Sequence, residues 1–219
     1  MRLGGYQTRY APISSDCGTS KVRERLGGVP GDVMQAARKL YEENGVHATT
    51  ITAIASEAQV TRELVYYYFE NKDAITAAVL DDYVEDLVES VVVWNELREF
   101  GNTPAELQKC ISTFRRALYD THGPRPMIGV LEELGVRDEF QVRAVRETVD
   151  CINSEVVAEY ALYHQIEIDL VYEMFCVAIF GLVGLVKINP LISDEALMKV
   201  VAQTLRLDMR VLDKPSEEA

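Results

Sequence analysis

An all-α fold of about nine helices follows from three features of the sequence. From Asp32 onward, apolar residues recur at helical spacing almost without interruption. No stretch alternates apolar and polar for a strand's length between turn signals. Gly and Pro number only 13 and 7 in 219 residues. With 48% apolar and 26% charged residues, the composition is that of a soluble globular protein rather than a disordered or fibrous one. A chain of this length buries a sizeable core without disulfides or metals.

Residues 1–29 mix Gly, Ser, Pro and charges without period and read as a partly disordered extension. Val33, Ala37, Leu40 and Tyr41 then fall at i, i+4, i+7 and i+8 on a first helix that ends at Gly45. Ile51, Ile54, Ala55 and Ala58 repeat the spacing in a helix of two turns capped by Thr49 or Thr50. A third short helix runs from about Thr61 to Phe69, and Asn71 caps a long one from Lys72 to about Glu99. Thr103-Pro104-Ala105-Glu106 has the form of a capping box with Pro at the first helical position, and 122–126 break the helix that it starts. A short helix from Met127 to Leu134 stops at Gly135. The next carries Val145, Val149, Ile152, Val156, Tyr160 and Tyr163 on one face. Asp169 to about Lys187 is apolar around nearly its whole circumference, which predicts a buried helix. Ser193 caps a last amphipathic helix with Leu197, Val200, Val201, Thr204 and Leu205. The expected division is an extension at 1–29, a helix-turn-helix unit at 30–76 and a helical body at 77–219.

Charge is divided in the same way. The net charge is −13, yet residues 1–75 hold nine Lys/Arg and nine Asp/Glu, so the rest of the chain carries the whole excess. The first thirty residues have five basic and two acidic side chains. A slightly basic arm on an acidic body fits a molecule that presents one end to a polyanion. The four cysteines are far apart and form no CxxC, so neither a metal site nor a disulfide framework is expected, and a reducing cytoplasm is the simpler setting. Leu170 to Val186 falls short of the roughly 20 apolar residues that a membrane span needs, so no membrane partner is expected. GxSxG, HExxH, P-loop and GxGxxG patterns are missing and the three histidines are isolated, so neither enzyme activity nor a cofactor is expected.

The informative segment is residues 45–75. A two-turn helix, a tight Ala58-Gln59-Val60 link and a short helix opened by Thr61 have helix-turn-helix spacing, in which the second helix enters the major groove of DNA. At 100° per residue, Thr61, Val65, Tyr68 and Phe69 fall on the inner side; Arg62, Glu63, Tyr66 and Tyr67 share the outer arc, with Leu64 at its edge. Two adjacent tyrosines are costly as bare surface but suit a phosphate backbone, to which their hydroxyls donate.

This segment resembles the DNA-binding domain of the tetracycline-repressor-like (TetR) family of bacterial regulators. The resemblance runs from Ala36 through Gly45, Thr49-Thr50, Ile54-Ala55, Val60-Thr61 and Val65-Tyr66-Tyr67-Tyr68-Phe69 to Asn71-Lys72-Asp73, about a fifth of the chain. It implies that Thr61 caps the recognition helix and binds a phosphate, that Arg62 reads a base such as guanine, and that Leu64 meets a thymine methyl. It further implies that Tyr66, Tyr67 and Lys72 hold phosphates and that Thr50 and Thr52 approach from the second helix. Gln59 stands where the family has Gly, which places a non-Gly residue at positive φ. Glu63 replaces a small residue and either accepts from cytosine N4 or repels phosphate.

The resemblance also implies a body that binds a small-molecule effector and pairs with a second copy through its last two helices. Trp94, Phe114, Tyr119, His122, Glu133, Tyr160 and His164 have suitable chemistry for the pocket. The acidity of this half suits a cationic inducer and equally suits solvated helix faces. Phe180, Gly181, Gly184, Leu197, Val201 and Leu205 are the expected interface of a homodimer, whose two recognition helices would read successive major grooves of a palindromic double-stranded operator. The function so implied is a ligand-released repressor; the alternatives are a helical enzyme or a protein-binding adaptor that uses the acidic half.

Overall fold

The computed structural model describes residues 26–99, 101–120, 123–161 and 165–210. The extension up to residue 25, and His122, Tyr163 and His164, lie outside the described residues. The fold is all-α: α1 Gly28–Asn44, α2 Ile51–Glu57, α3 Arg62–Tyr68, α4 Lys72–Glu96, α5 Thr103–Leu118, α6 Pro126–Leu134, α7 Arg137–Cys151, α8 Ala158–Tyr160, α9 Val171–Ile188 and α10 Asp194–Thr204. A π-helical segment, Ile152–Val157, joins α7 to α8 in one continuous rod, so these ten segments form nine rods among the described residues. A two-residue antiparallel bridge, Tyr119–Asp120 with Gly123–Pro124, closes the turn after α5.

Local chemistry sets the helix starts. Thr50, Thr61, Asn71 and Ser193 each accept a hydrogen bond from the backbone N–H three residues on, which satisfies an otherwise orphaned donor. The expected capping box at Thr103 is corrected: Asn102 is the cap, its Oδ1 accepting from Ala105 N, and Thr103 is already helical. Thr49 is buried and donates to the carbonyls of Gly45 and Leu40, which leaves Thr50 as the cap of α2. Gln59 has φ +56, the left-handed conformation expected from its place in the turn.

One apolar cluster runs from Val33 in α1 through Ile54, Val65, Phe69, Ile75 and Tyr83 to Leu131 in α6 and Ala144 in α7. It is continuous across the expected boundary at residue 76, and α4 spans that boundary as a single helix. A second cluster joins α5, α9 and α10 through Ile111, Leu182, Val186, Leu197 and Leu205.

Three expectations for this half are corrected. The apolar helix is not buried within the protomer, since only Leu182 and Val186 of α9 are fully covered. It is also long and apolar enough, by length and composition, to cross a membrane. Its Val177, Phe180, Gly181 and Ile188 form an exposed stripe at spacings of three, four and seven residues. Leu197, Val201 and Leu205, expected between two copies, instead lie inside this chain's own second cluster, because α10 turns its apolar face onto α5 and α9.

Candidate DNA interface and effector cavity

The recognition helix α3 is anchored by two residues. Val65 is fully buried and Phe69, just past the last turn, is 8% exposed. The opposite arc is open: Thr61, Arg62 and Glu63 are exposed, Leu64 is half-buried, and Tyr66 and Tyr67 are 43% and 78% exposed. Tyr68 corrects the helical-wheel assignment, being 45% exposed rather than core. Phe69 leaves the helix in an extended conformation and takes the inner place, while the Tyr68 ring sits edge-on to Tyr67 at 4.9 Å. Thr61, also assigned inward, is exposed because a cap precedes the helical turn.

The polar side chains of this arc hold one another. Arg62 Nη2 donates to the Tyr66 hydroxyl at 3.2 Å and its guanidinium lies 5.4 Å from that ring centroid. The Glu63 carboxyl is held below its usual range by its own backbone N–H, then by the Thr61 hydroxyl, with the Arg62 charge adding to both. Glu63 is therefore folded back over the positive end of α3, where a carboxylate stabilises a helix. Thr50, the cap of α2, and Thr52 within it are exposed as well. Lys72 is half-buried, its ammonium donating to the Val46 carbonyl and lying 5.9 Å from the centroid of the Tyr41 ring. Its first job is to fasten the α1–α2 turn.

Two contacts missed at the sequence level join this head to the body. Glu133 on α6, expected in the pocket, instead accepts hydrogen bonds from Val46 N at 2.8 Å and His47 N at 2.6 Å. These N–H groups, His47 first, hold its carboxyl below the usual range. Gly45 has φ +86, a conformation that favours glycine, and a Cβ there would stand 2.8 Å from the Glu133 carboxylate and displace it. The second contact is the Arg38 guanidinium, which pairs with Asp82, Asp86 and Glu42 and stacks 4.6 Å from the Tyr83 ring centroid. Asp82 is 2% exposed, and Gln35 Nε2 donates to it at 3.4 Å. The α4 partners of Arg38 lie far along the chain from it and leave no local mark in the sequence.

The body holds two adjoining cavities of about 200 and 160 Å³. The larger is lined almost wholly by apolar side chains of α4–α7 and α9, Phe114 and Trp94 among them. The smaller reaches from Trp94 to Tyr160 and has charged groups at its rim. Trp94, Leu107, Cys110, Ile152 and Phe175 face both. Burial, and then the nearby Glu106 charge, push the Cys110 thiol up to about 11. Tyr119 packs against the second cluster and faces neither cavity. Among the described residues, no group of three or more His, Cys, Asp or Glu is placed to hold a metal ion.

The profile that describes the bacterial regulatory proteins of the TetR family matches residues 33–79, the segment from α1 into α4 that carries this open arc. These residues form a TetR-type DNA-binding domain. It is similar to the HTH-type transcriptional regulator HbdR of Aromatoleum sp., 42% identical over 59 residues that cover 25% of this chain and 26% of that one. Similarity to the HTH-type transcriptional repressor Rv3405c of Mycobacterium tuberculosis extends further, at 28% identity over 178 residues, 78% of this chain and 85% of that protein. Among solved structures, Salmonella enterica GusR has the same fold, with a TM-score of 0.60 at 16% identity over 82% of this chain and 96% of GusR. With this TetR-type domain on an all-helical body, the chain is a DNA-binding transcriptional regulator.

Proposed function

We propose that the chain acts as a homodimeric repressor, without enzymatic activity, that is released from a palindromic operator by a small molecule bound in the body. The observation that carries this reading is the α3 arc: its inner residues are buried, while Arg62, Glu63, Tyr66 and Tyr67 stand open beside Thr50, Thr52 and Thr61. Arg62 would read a base edge, and the tyrosine hydroxyls would donate to phosphates. Leu64 would touch a thymine methyl, and the remaining N–H groups of Lys72 would reach a phosphate.

Pairing of two copies is supported by the stripe on α9. A Cβ built on Gly181 or Gly184 meets no atom within 4 Å, so Phe180 and the two glycines border an open notch that another helix backbone can enter. Effector response is supported by α6, which supplies Met127, Ile128 and Leu131 to the larger cavity and Glu133 to the contact with the head. A ligand that favours one position of α6 would change the seating of the head, and so the spacing of two recognition helices.

The test is selection of bound fragments from a random duplex library, followed by affinity against salt for the winner. A palindromic site with a steep negative salt slope is expected. Enrichment of no sequence by the folded dimer would refute the reading. Gly181→Leu should shift the sedimenting species toward monomer and weaken operator binding with it.

A further inference from the structure

Glu106 and Asn95 each keep a buried side-chain oxygen without a hydrogen-bond partner among the described residues, and of the two Glu106 carries the charge. It lies in the first turn of α5, is 4% exposed and faces the smaller cavity. One carboxylate oxygen, Oε1, accepts from Lys109 Nζ at 2.8 Å, and the Lys109 side chain is half exposed. The other, Oε2, is buried without a hydrogen-bond partner among the described residues. A buried carboxylate oxygen left unpaired is costly, because desolvation is not compensated. The Trp94 indole, which would be a natural donor, instead gives its N–H to the Glu106 backbone carbonyl at 3.2 Å.

The surroundings specify what would satisfy Oε2. Trp94 and Phe175 stand on the wall shared by both cavities, and Tyr160 lines the smaller one. Aromatic faces beside a carboxylate favour a cationic nitrogen, through the ring quadrupole and the ion pair together. The charged lining of the smaller cavity is mixed, with Glu99 and Glu167 opposed by Arg206 and by Arg98, whose guanidinium lies 5.7 Å from the Trp94 ring centroid. That leaves the buried Glu106 as the group that breaks the tie. The larger cavity next door has an apolar wall suited to a hydrocarbon body.

We propose that the two cavities form one site for a hydrophobic amine, whose protonated nitrogen donates to Glu106 Oε2 while its apolar body fills the space beyond Trp94. This rests on the effector reading given above and adds the chemical class. Trp94 is the single tryptophan of the chain, so its fluorescence reports occupancy directly.

The test compares three probes of one shape on the full-length protein: 4-phenylbutylamine, 4-phenylbutanol and 4-phenylbutyrate. The amine should bind about tenfold or more tighter than the alcohol, the range expected of a hydrogen bond to a charged group, and the carboxylate should bind more weakly still. Glu106→Gln should erase the preference for the amine over the alcohol. Lys109→Ala, an independent variant at a half-exposed position, should strengthen it. Failure of the amine to bind at millimolar concentration, equal binding of amine and alcohol, or a preference that survives Glu106→Gln would each overturn the proposal. Operator affinity measured with each saturating probe separates the two readings. Release by the alcohol alone would keep the effector reading and sink the amine. Amine preference without release would keep the site and sink its regulatory role.

Discussion

Gln59 turns the corner between α2 and α3 with φ +56, a conformation in which the Cβ of an L-residue crowds the following carbonyl. Such a residue costs about 1–2 kcal/mol relative to the right-handed region. Gln59→Gly removes that crowding, but it gives the unfolded chain more freedom, worth about 0.4–1 kcal/mol in the other direction. The side chain is exposed, so little packing is lost. The expected net gain is about 0.5–1 kcal/mol, or roughly 1–4 °C in Tm for a chain of this size. Thermal unfolding followed by helical circular dichroism, at one fixed protein concentration because the Tm of any self-associating chain depends on it, measures the shift. Gln59→Ala is the control: it keeps the positive φ and removes the amide, and so should bring no gain. A less stable Gln59→Gly protein, or an equal gain in Gln59→Ala, would refute the assignment of strain to the backbone.

Other variants probe the remaining contacts. Asp82→Ala removes a nearly fully buried acceptor of Arg38 and Gln35 and should cost about 2–3 kcal/mol in urea unfolding; a loss under about 0.5 kcal/mol would mark the pair as no better than a surface one. Glu133 has a lowered folded pKa, so its stabilisation is full above the ordinary carboxyl value of 4.5 and is lost as pH falls through the lower folded value. Glu133→Ala should therefore flatten the stability profile on that acid side, and an unchanged profile would count against the contact with Val46 and His47. Arg62→Ala should lose about 1–3 kcal/mol of discrimination at one base pair of the selected site. Tyr67→Ala, at a position 78% exposed, should leave Tm unchanged and weaken all duplexes alike.

The head was legible because its signals are local. Caps at Thr61 and Asn71, the two-turn spacing of α2 and the left-handed turn at Gln59 all depend on residues within a few positions of one another. What escaped was set by partners distant in sequence. Glu133 carries no mark of bonding to a turn 86 residues earlier, and the periodicity of α10 announces an apolar face without saying whose helix covers it. Tyr68 failed for a third reason, since the wheel assumes that helical geometry continues through Phe69, where the backbone is already extended.

The π-helical segment Ile152–Val157 bears on how such a cavity can change over generations. A π-turn holds one residue more than the α-turn it replaces. In a regular helix, deletion of one residue rotates everything downstream by about 100° and tears its packing apart. Here the loss of one codon between 152 and 157 would simply relax the wide turn to an α-turn, with the residues on either side keeping their facing. Ile152, Val156 and Val157 line the cavities, so the cavity wall would retract while the rod stayed whole. Among the described helices this is where a frame-preserving deletion is the mildest mutation available, and where descendants of this chain can acquire a differently shaped chamber in a single step.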